Sequence, residues 1–525
     1  MSTATPTHSS TVVAPHGLVC SVDHLASSAG VAILRAGGSA ADAAVATSAV
    51  LAVTTPHMCG MGGDLWALVH TGTGAPDALC AAGRAGSGAD PDQMLAEGLD
   101  RMPLRGDVRS APVPGCVDGW LTLHERHGEL PLADVLAPAI GYADDGFPAS
   151  PQLAGAVRVL AGVAGAEDLV PARAGHRLRR PGVAAALRAV VADGRDGFYL
   201  GAFGAGLLEL GAGEYVEDDL RRTQADWVTP VARRVWGHDV WTVPAPSQGY
   251  LTLAAAVIAD GLGLGGVDDD ARAHLLVEAA RAAGADRPDV RHDGADPEAL
   301  LAADRLDALR AGIDPERRGS RGAASRPGGT IHLVVADARG GGVSLIQSNA
   351  SGFGSHVFEP TTGIGLHDRG IGFSLAAGHP ARYGPGRRPP STLSPALVTR
   401  PDGSLRGVLG TMGGDSQPQV LLQLLVRWLV DGDAPGRALA APRWVLEAPE
   451  SNGFDTWDDP DTQVVRVEDH APPSWGPGLT RRGHPVRIER WDAANFGHAH
   501  IAEVVDGVVR GAADPRARTG AATGW

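Results

Sequence analysis

Apolar and polar positions follow two different rhythms along the chain. In the first 310 residues apolar side chains recur mostly at helical spacing. Ala40–Val53 is an alanine-rich stretch with Ser39 in the N-cap position, and Gly37-Gly38 closes the element before it. Leu65–His70 and Ala78–Ala81 flank the turn TGTGAPD and predict two strands. Residues 120–310 read as mostly helix, with Pro131–Asp144 and Leu251–Asp260 the clearest segments, the second stopped by Gly261. RGSRGAASRPGG, Arg318–Gly329, carries no apolar periodicity and predicts a flexible polar tract. Beyond it strands dominate: TIHLVVAD opening at Thr330, then Val343–Ser348, Ala396–Thr399, Leu405–Gly410 and Val464–Val467. One helix, Val420–Val430, interrupts them and is apolar nearly all round, which places it in the interior.

Composition narrows the chemistry. All 45 basic side chains are arginine; the chain contains no lysine. That excludes a Schiff-base lysine, a GxxxxGK[ST] phosphate loop and a Ser-x-x-Lys dyad. A formal charge of −15 with no basic stripe argues against nucleic acid as a partner. No apolar stretch reaches the ~20 residues of a membrane span, and Met1–Pro15 is polar without an apolar leader, so a cytoplasmic protein is expected. The 72 glycines among 525 residues, set between periodic segments, predict many tight turns rather than disorder. Cys20, Cys59, Cys80 and Cys116 form no CxxC pair and are expected as reduced core thiols. His498 and His500 share one face of a probable strand without an evident third ligand, so no metal and no cofactor is expected.

Thr330 is the first candidate for chemistry. A threonine can act as nucleophile if the chain is cut before it, because the freed α-amine, with an ordinary pKa near 7.7–8.0, serves as base. Gly329 would permit the backbone angles that an internal N→O acyl shift requires. Alone, such a Gly-Thr pair is more often an ordinary strand start. If DARGGG (337–342) is a hairpin turn, the partner of Thr330 falls within Gln347–Ser351, which brings Ser348 and Asn349 near its hydroxyl. Plain cross-strand hydrogen bonding would demand the same pattern. In GTMGGDSQPQ (410–419), a strand, Gly413-Gly414 and a helix start follow one another, a junction whose free N–H groups suit an oxyanion or merely a tight packing turn. Ser391 and Thr392 in RRPPSTLSP read as turn hydroxyls. Arg84 in AAGRAG is either a cleft-facing or a solvated guanidinium.

With these residues assembled, the sequence resembles the γ-glutamyltransferase (glutathione hydrolase) family of N-terminal-nucleophile hydrolases. Nine segments follow in the family's order: residues 37–64, VPGCVDGW (113–120), APSQGYLTL (245–253), TIHLVVAD, SGFGS, RRPPSTLSP, GTMGGDSQPQ, APRW (441–444) and GAADPRARTG (511–520). The resemblance implies an α+β, four-layer αββα sandwich of two antiparallel sheets between helix layers. It implies autocleavage between Gly329 and Thr330 into a helix-rich large subunit, 1–329, and a β-rich small subunit, 330–525, which together form one intertwined heterodimer, open to further pairing. Thr330 matches the nucleophile, Ser348 the hydroxyl that steadies it, and Gly413 and Gly414 the oxyanion pair. Arg84, Ser391 and Thr392 match the groups that hold a substrate α-carboxylate, and Asn349 lies beside the position of a family asparagine that is Ala350 here. The implied substrates are γ-glutamyl amides, with transfer to water or an amine.

Two departures are visible. Glutamyl-specific members grip the α-ammonium with acids in a stretch like NNxMDDFS. Here the stretch is LHDRGIGFS (366–374), and the acids' positions hold Ile371 and Gly372, with Asp368 offset. The lid segment is short but keeps Tyr383. These departures motivate the alternatives: an amidohydrolase for another small carboxylate-bearing amide, of the oxamate or acylated β-lactam type, or an unprocessed relative that only binds carboxylates.

Overall fold

The computed structural model describes residues 10–320, 329–449, 456–457 and 461–525. Most of the polar tract Arg318–Gly329 lies outside the described residues. Ser39 caps the predicted helix, which runs Ala40–Thr54: its hydroxyl accepts from Asp42 N–H at 3.0 Å while the Asp42 carboxylate accepts from Ser39 N–H at 2.9 Å. All fifteen residues are buried, which explains the small side chains. The helix His24–Arg35 crosses it so closely that a Cβ on Gly30 would lie 2.2 Å from Thr47 Oγ1.

Two seven-stranded sheets, antiparallel throughout, lie between helix layers. One runs Ala521–Gly524, Gly17–Ser21, Gly329–Asp337, Gly341–Ala350, Asp64–Thr71, Asp77–Ala81, Asp226–Val228. The other runs Val12–Ala14, Val508–Ala513, Ala499–Val505, Leu405–Thr411, Ala396–Thr399, His238–Thr242, Val231–Val235. Both faces of the central strands are buried, and their side chains alternate between two cores. Ile331, Leu333 and Val335 pack toward Val45, Leu51 and Trp120 of one helix layer. Val334 and Ala336 face Leu397, Val408 and Ala502 of the other sheet. A third core joins that sheet to Leu253, Val277 and Leu421 of the second helix layer. The result is the four-layer αββα sandwich the resemblance implied.

The stretch 120–310 is mostly helix, as expected, but it also holds short strands, among them Asp226–Val228, Val231–Val235 and His238–Thr242. They are short edge or near-edge strands that carry the chain from one sheet to the other, and their alternation is hidden between long Ala/Leu/Arg-rich helices. The Val420–Val430 helix begins earlier, at Gln417, and after Leu425 widens into a π turn whose last residue, Val430, is 40% exposed. Among the described residues no helix is long and apolar enough to cross a membrane. The four cysteines are free and buried.

Both sheets are built from both sides of Gly329–Thr330. Gly17–Ser21 and Asp64–Thr71 flank the hairpin 329–350, and His238–Thr242 pairs with Ala396–Thr399.

Candidate active site

Thr330 stands at the start of a central strand and is fully buried. The ladder between the two hairpin strands slips there: Gly329 pairs with Ala350 but Ile331 with Gln347, so the two strands are offset at Thr330. This bulge brings the Thr330 and Ser348 hydroxyls to 3.0 Å, and Ser348 Oγ also accepts from Ala350 N–H at 2.8 Å. The hairpin window read from the sequence is correct, and the bulge selects Ser348 within it. Asn349 points elsewhere: its amide donates to Pro56 O at 3.1 Å.

The strand Leu405–Thr411 of the other sheet crosses the strand Gly329–Asp337. Its Gly410 is required because a Cβ would lie 2.2 Å from His332 Nε2. Ser344 Oγ donates to Leu409 O, so His332 Nε2–H donates to Ser344. Burial, then neighbouring His500, hold the His332 pKa far below the ordinary imidazole value, which keeps this inter-sheet stitch neutral. Just past that strand, Gly413 and Gly414 take positive φ, +136° and +57°, and begin the turn into the helix Gln417–Leu425.

A buried network joins these parts. Asp64 pairs with Ser348 across the ladder and accepts from Arg369 Nε at 2.8 Å; Arg369 Nη1 donates to Thr392 Oγ1 at 3.2 Å. Gln248 Nε2 donates to both Thr392 O and Gly414 O, at 3.0 and 2.8 Å. Its Oε1 accepts two bonds from Arg287, whose guanidinium also pairs with Asp415. Ser391 is stitched to the same segment by Gln248 N–H to Ser391 O and Ser391 N–H to Pro246 O. Ser348, Thr392, Ser391 and Gly414 therefore belong to one hydrogen-bonded body. Asp64, Gln248, Arg287, Arg369 and Asp415 hold it together, and the sequence reading assigned none of them a role. Asp64, Gln248 and Asp415 lie inside the quoted motifs, so the signal was a polar residue within a glycine-rich or apolar segment.

Arg84 belongs to a separate cluster. It pairs with Asp226 at 2.5 Å, and Arg388, three residues before Ser391, pairs with the same carboxylate. Two guanidinium groups thus share one aspartate. Burial, then the Arg388 charge, push the Arg84 pKa below its ordinary value. Its Nε is buried without a partner.

At the two positions where the resemblance places acids, Ile371 and Gly372 carry no carboxylate. A Cβ on Gly372 would lie 2.6 Å from Pro390 O, so no side chain fits there without a shift of backbone. Ile371 precedes it in the short turn Arg369–Gly372. Asp368 is fully buried and committed: it accepts from Ser351 N–H and from Arg105, both at 2.8 Å. Burial raises its pKa against the Ser351 hydrogen bond and the Arg105 charge. Tyr383 of the short lid donates to Glu214, whose pKa burial pushes up to about 7.

Among the described residues, His274, Glu278 and His484 form a group with metal-ligand spacing. They are already paired, His274 Nδ1 with His484 Nε2 at 2.8 Å and Glu278 with Arg281 at 2.7 Å.

An αββα sandwich interleaved from both sides of a buried threonine that opens a central strand is the architecture of the N-terminal-nucleophile hydrolases. Within that class the chain belongs to the Gamma-glutamyltranspeptidase family, whose pattern matches residues 26–524. It is 35% identical to the oxamate amidohydrolase proenzyme of Klebsiella pneumoniae subsp. pneumoniae, covering 99% of this chain and 100% of that protein. It is 34% identical to the glutathione hydrolase-like YwrD proenzyme of Bacillus subtilis, covering 98% and 99%. The structure of a cephalosporin acylase from Bacillus halodurans superposes with a TM-score of 0.90 at 32% identity, covering 100% of this chain and 98% of that one.

Proposed function

We infer that this chain is an autoprocessed amidohydrolase with Thr330 as nucleophile, acting on small amides whose acyl group carries a carboxylate and needs no α-ammonium. The observation that carries this reading is the missing acid: Gly372 has no room for a side chain, and the Asp368 carboxylate is committed to Arg105 and Ser351. An ammonium buried there without a counter-charge would cost several kcal/mol. The similarity to an oxamate amidohydrolase proenzyme supports the same substrate class, since oxamate is a carboxylate-bearing amide without an ammonium group.

In processing, Thr330 Oγ1 attacks the Gly329 carbonyl, the Gly329–Thr330 C–N bond breaks, and the hydroxyl proton passes to the departing nitrogen. Water then hydrolyses the ester, leaving a Gly329 carboxylate and a free Thr330 amine. In turnover that amine takes the proton from Oγ1 as it adds to the substrate carbonyl and delivers it to the leaving nitrogen. Water, activated by the same amine, releases the acid. Ser348, 3.0 Å from Oγ1, orients the nucleophile, and the Gly413–Gly414 turn supplies N–H groups to the oxyanion. Residues 1–329 and 330–525 stay together because each supplies strands to both sheets.

A denaturing gel of the purified protein is expected to show two bands, with Thr330 at the N-terminus of the smaller. Glutaryl p-nitroanilide should be hydrolysed at least as fast as its γ-glutamyl analogue. A single full-length band without turnover would leave an unprocessed carboxylate binder. A strong preference for the γ-glutamyl compound would return the reading to a glutathione hydrolase.

A further inference from the structure

The segment APRW (441–444) takes no part in the site above, and all four of its residues line a separate cavity. This cavity, of about 40 Å³, lies in the second helix layer. It opens between the start of the helix Asp269–Gly284, the end of Gln417–Leu425 and the short helix Pro435–Ala440. Its floor is apolar: Leu276, Leu424, Ala438, Trp444 and Trp475 are all buried.

Its rim is charged. Arg272 donates to Asp431 at 2.6 Å, whereas Arg427 stands 3.6 Å from the other oxygen of the same carboxylate. That is too far for a hydrogen bond, so the Arg427 fork is open to an acceptor. Arg427 belongs to the π turn after Leu425, a departure from the α-helix that recurs at functional sites. The other charged lining residues are accounted for. Arg443 pairs with Asp514, and exposed Asp269 opens its helix, where the dipole favours a negative charge. One water needs about 10–15 Å³, so the cavity takes roughly three groups of that size, the length of a short alkyl chain. An alkyl chain on the floor and a carboxylate on the planar Arg427 fork satisfy both parts.

The cavity is tied to the oxyanion turn by two routes. Gln423 in its wall accepts from Trp444 N–H at 3.1 Å and donates to Trp444 O at 2.8 Å. Gln423 lies on the helix that begins just after Gly413 and Gly414. Arg443 donates to Phe496 O at 2.7 Å and to Gly497 O at 3.3 Å. Gly497 in turn packs so closely that a Cβ there would lie 2.7 Å from Met412 O, next to Gly413.

We propose that this cavity is an effector site for a short-chain monocarboxylate, separate from the acyl site, and that its occupancy acts on the oxyanion turn through Gln423 and Arg443. The coupling rests on the amidohydrolase reading above; the binding does not.

The test titrates the full chain, labelled with fluorotryptophan, with butyrate and with n-butylamine. The Trp444 and Trp475 fluorine signals are assigned from Trp444→Phe and Trp475→Phe. Butyrate should shift the Trp475 signal saturably and n-butylamine should not. Arg427→Gln should weaken butyrate binding by about 10-fold, the loss of one hydrogen-bonded charge. Ala438→Val, which fills the cavity, should weaken it as well. No saturable shift, an equal response to the amine, or unchanged affinity in Arg427→Gln overturns the site. In turnover of glutaryl p-nitroanilide, butyrate competing at the acyl site raises KM alone. Butyrate in the cavity should change kcat by about 5-fold in wild type and not in Arg427→Gln. A kcat indifferent to butyrate overturns the coupling. If processed wild type hydrolyses no anilide, the amidohydrolase reading fails, while the fluorine titration still decides on the site.

Discussion

The network around Thr330 and the cluster around Arg84 treat their charges differently. Around Thr330, each charged group faces an opposite charge: Asp64 has Arg369, and Asp415 has Arg287. In the other, Arg84 and Arg388 share one aspartate. The contrast shows what is finished before a ligand arrives. Reaction geometry must be preorganised, because a displaced nucleophile or oxyanion donor loses rate steeply. A recognition group that is already satisfied has nothing to offer a substrate.

The most direct attack on this contrast removes the nucleophile. Thr330→Ala should abolish both chain cleavage and amide turnover, the latter by at least about 1000-fold, since hydroxyl and amine are one catalytic unit. The chain should still fold, so a single full-length band with a native-like denaturation profile is expected. Retained cleavage would remove Thr330 from its role.

A second measurement compares the two arginines through stability. Arg287→Met leaves Asp415 buried without its cation and should cost about 3–5 kcal/mol. Arg84→Met leaves Asp226 still paired with Arg388 and should cost less than about 1 kcal/mol. Denaturant midpoints of the two variants measure the difference, and equal losses would erase the distinction between the two sites.

The smallest expected effect concerns the lid. Glu214, bound by Tyr383, has a pKa raised to about 7 by burial against an ordinary value of 4.5. Between those pH values the folded state holds a proton that the unfolded state has lost, so this group's contribution falls as pH rises through the window. Glu214→Gln should remove that slope. Melting temperatures from pH 4.5 to 7 should therefore decline more in wild type than in the variant, and parallel curves would show that Glu214 does not titrate there.

Much of the fold was legible because it is periodic. The hairpin 329–350, the capped helix at Ala40 and the Gly413-Gly414 junction are written in nearest-neighbour patterns, which depend on local backbone geometry alone. The three strands between 226 and 242 were missed because short edge strands carry little alternation. The window that holds Ser348 was found from a turn and a count, and its place beside Thr330 from the family resemblance. The bulge that aligns their hydroxyls was not visible, because a one-residue register shift leaves no mark in the hydrophobic pattern.

By itself the sequence determined the residue types available: no lysine to serve as base, a threonine after a polar tract, and glycines where side chains cannot fit. It could not say which arginine meets which acid. Arg369 reaches Asp64 across 305 positions, and Arg84 reaches Asp226 across 142. Such pairs form through space in a poorly screened interior, where a charge is either neutralised by whatever the fold brings near or left exposed to a ligand. Only the tertiary structure decided that Arg287 meets Asp415 while Arg84 and Arg388 share Asp226.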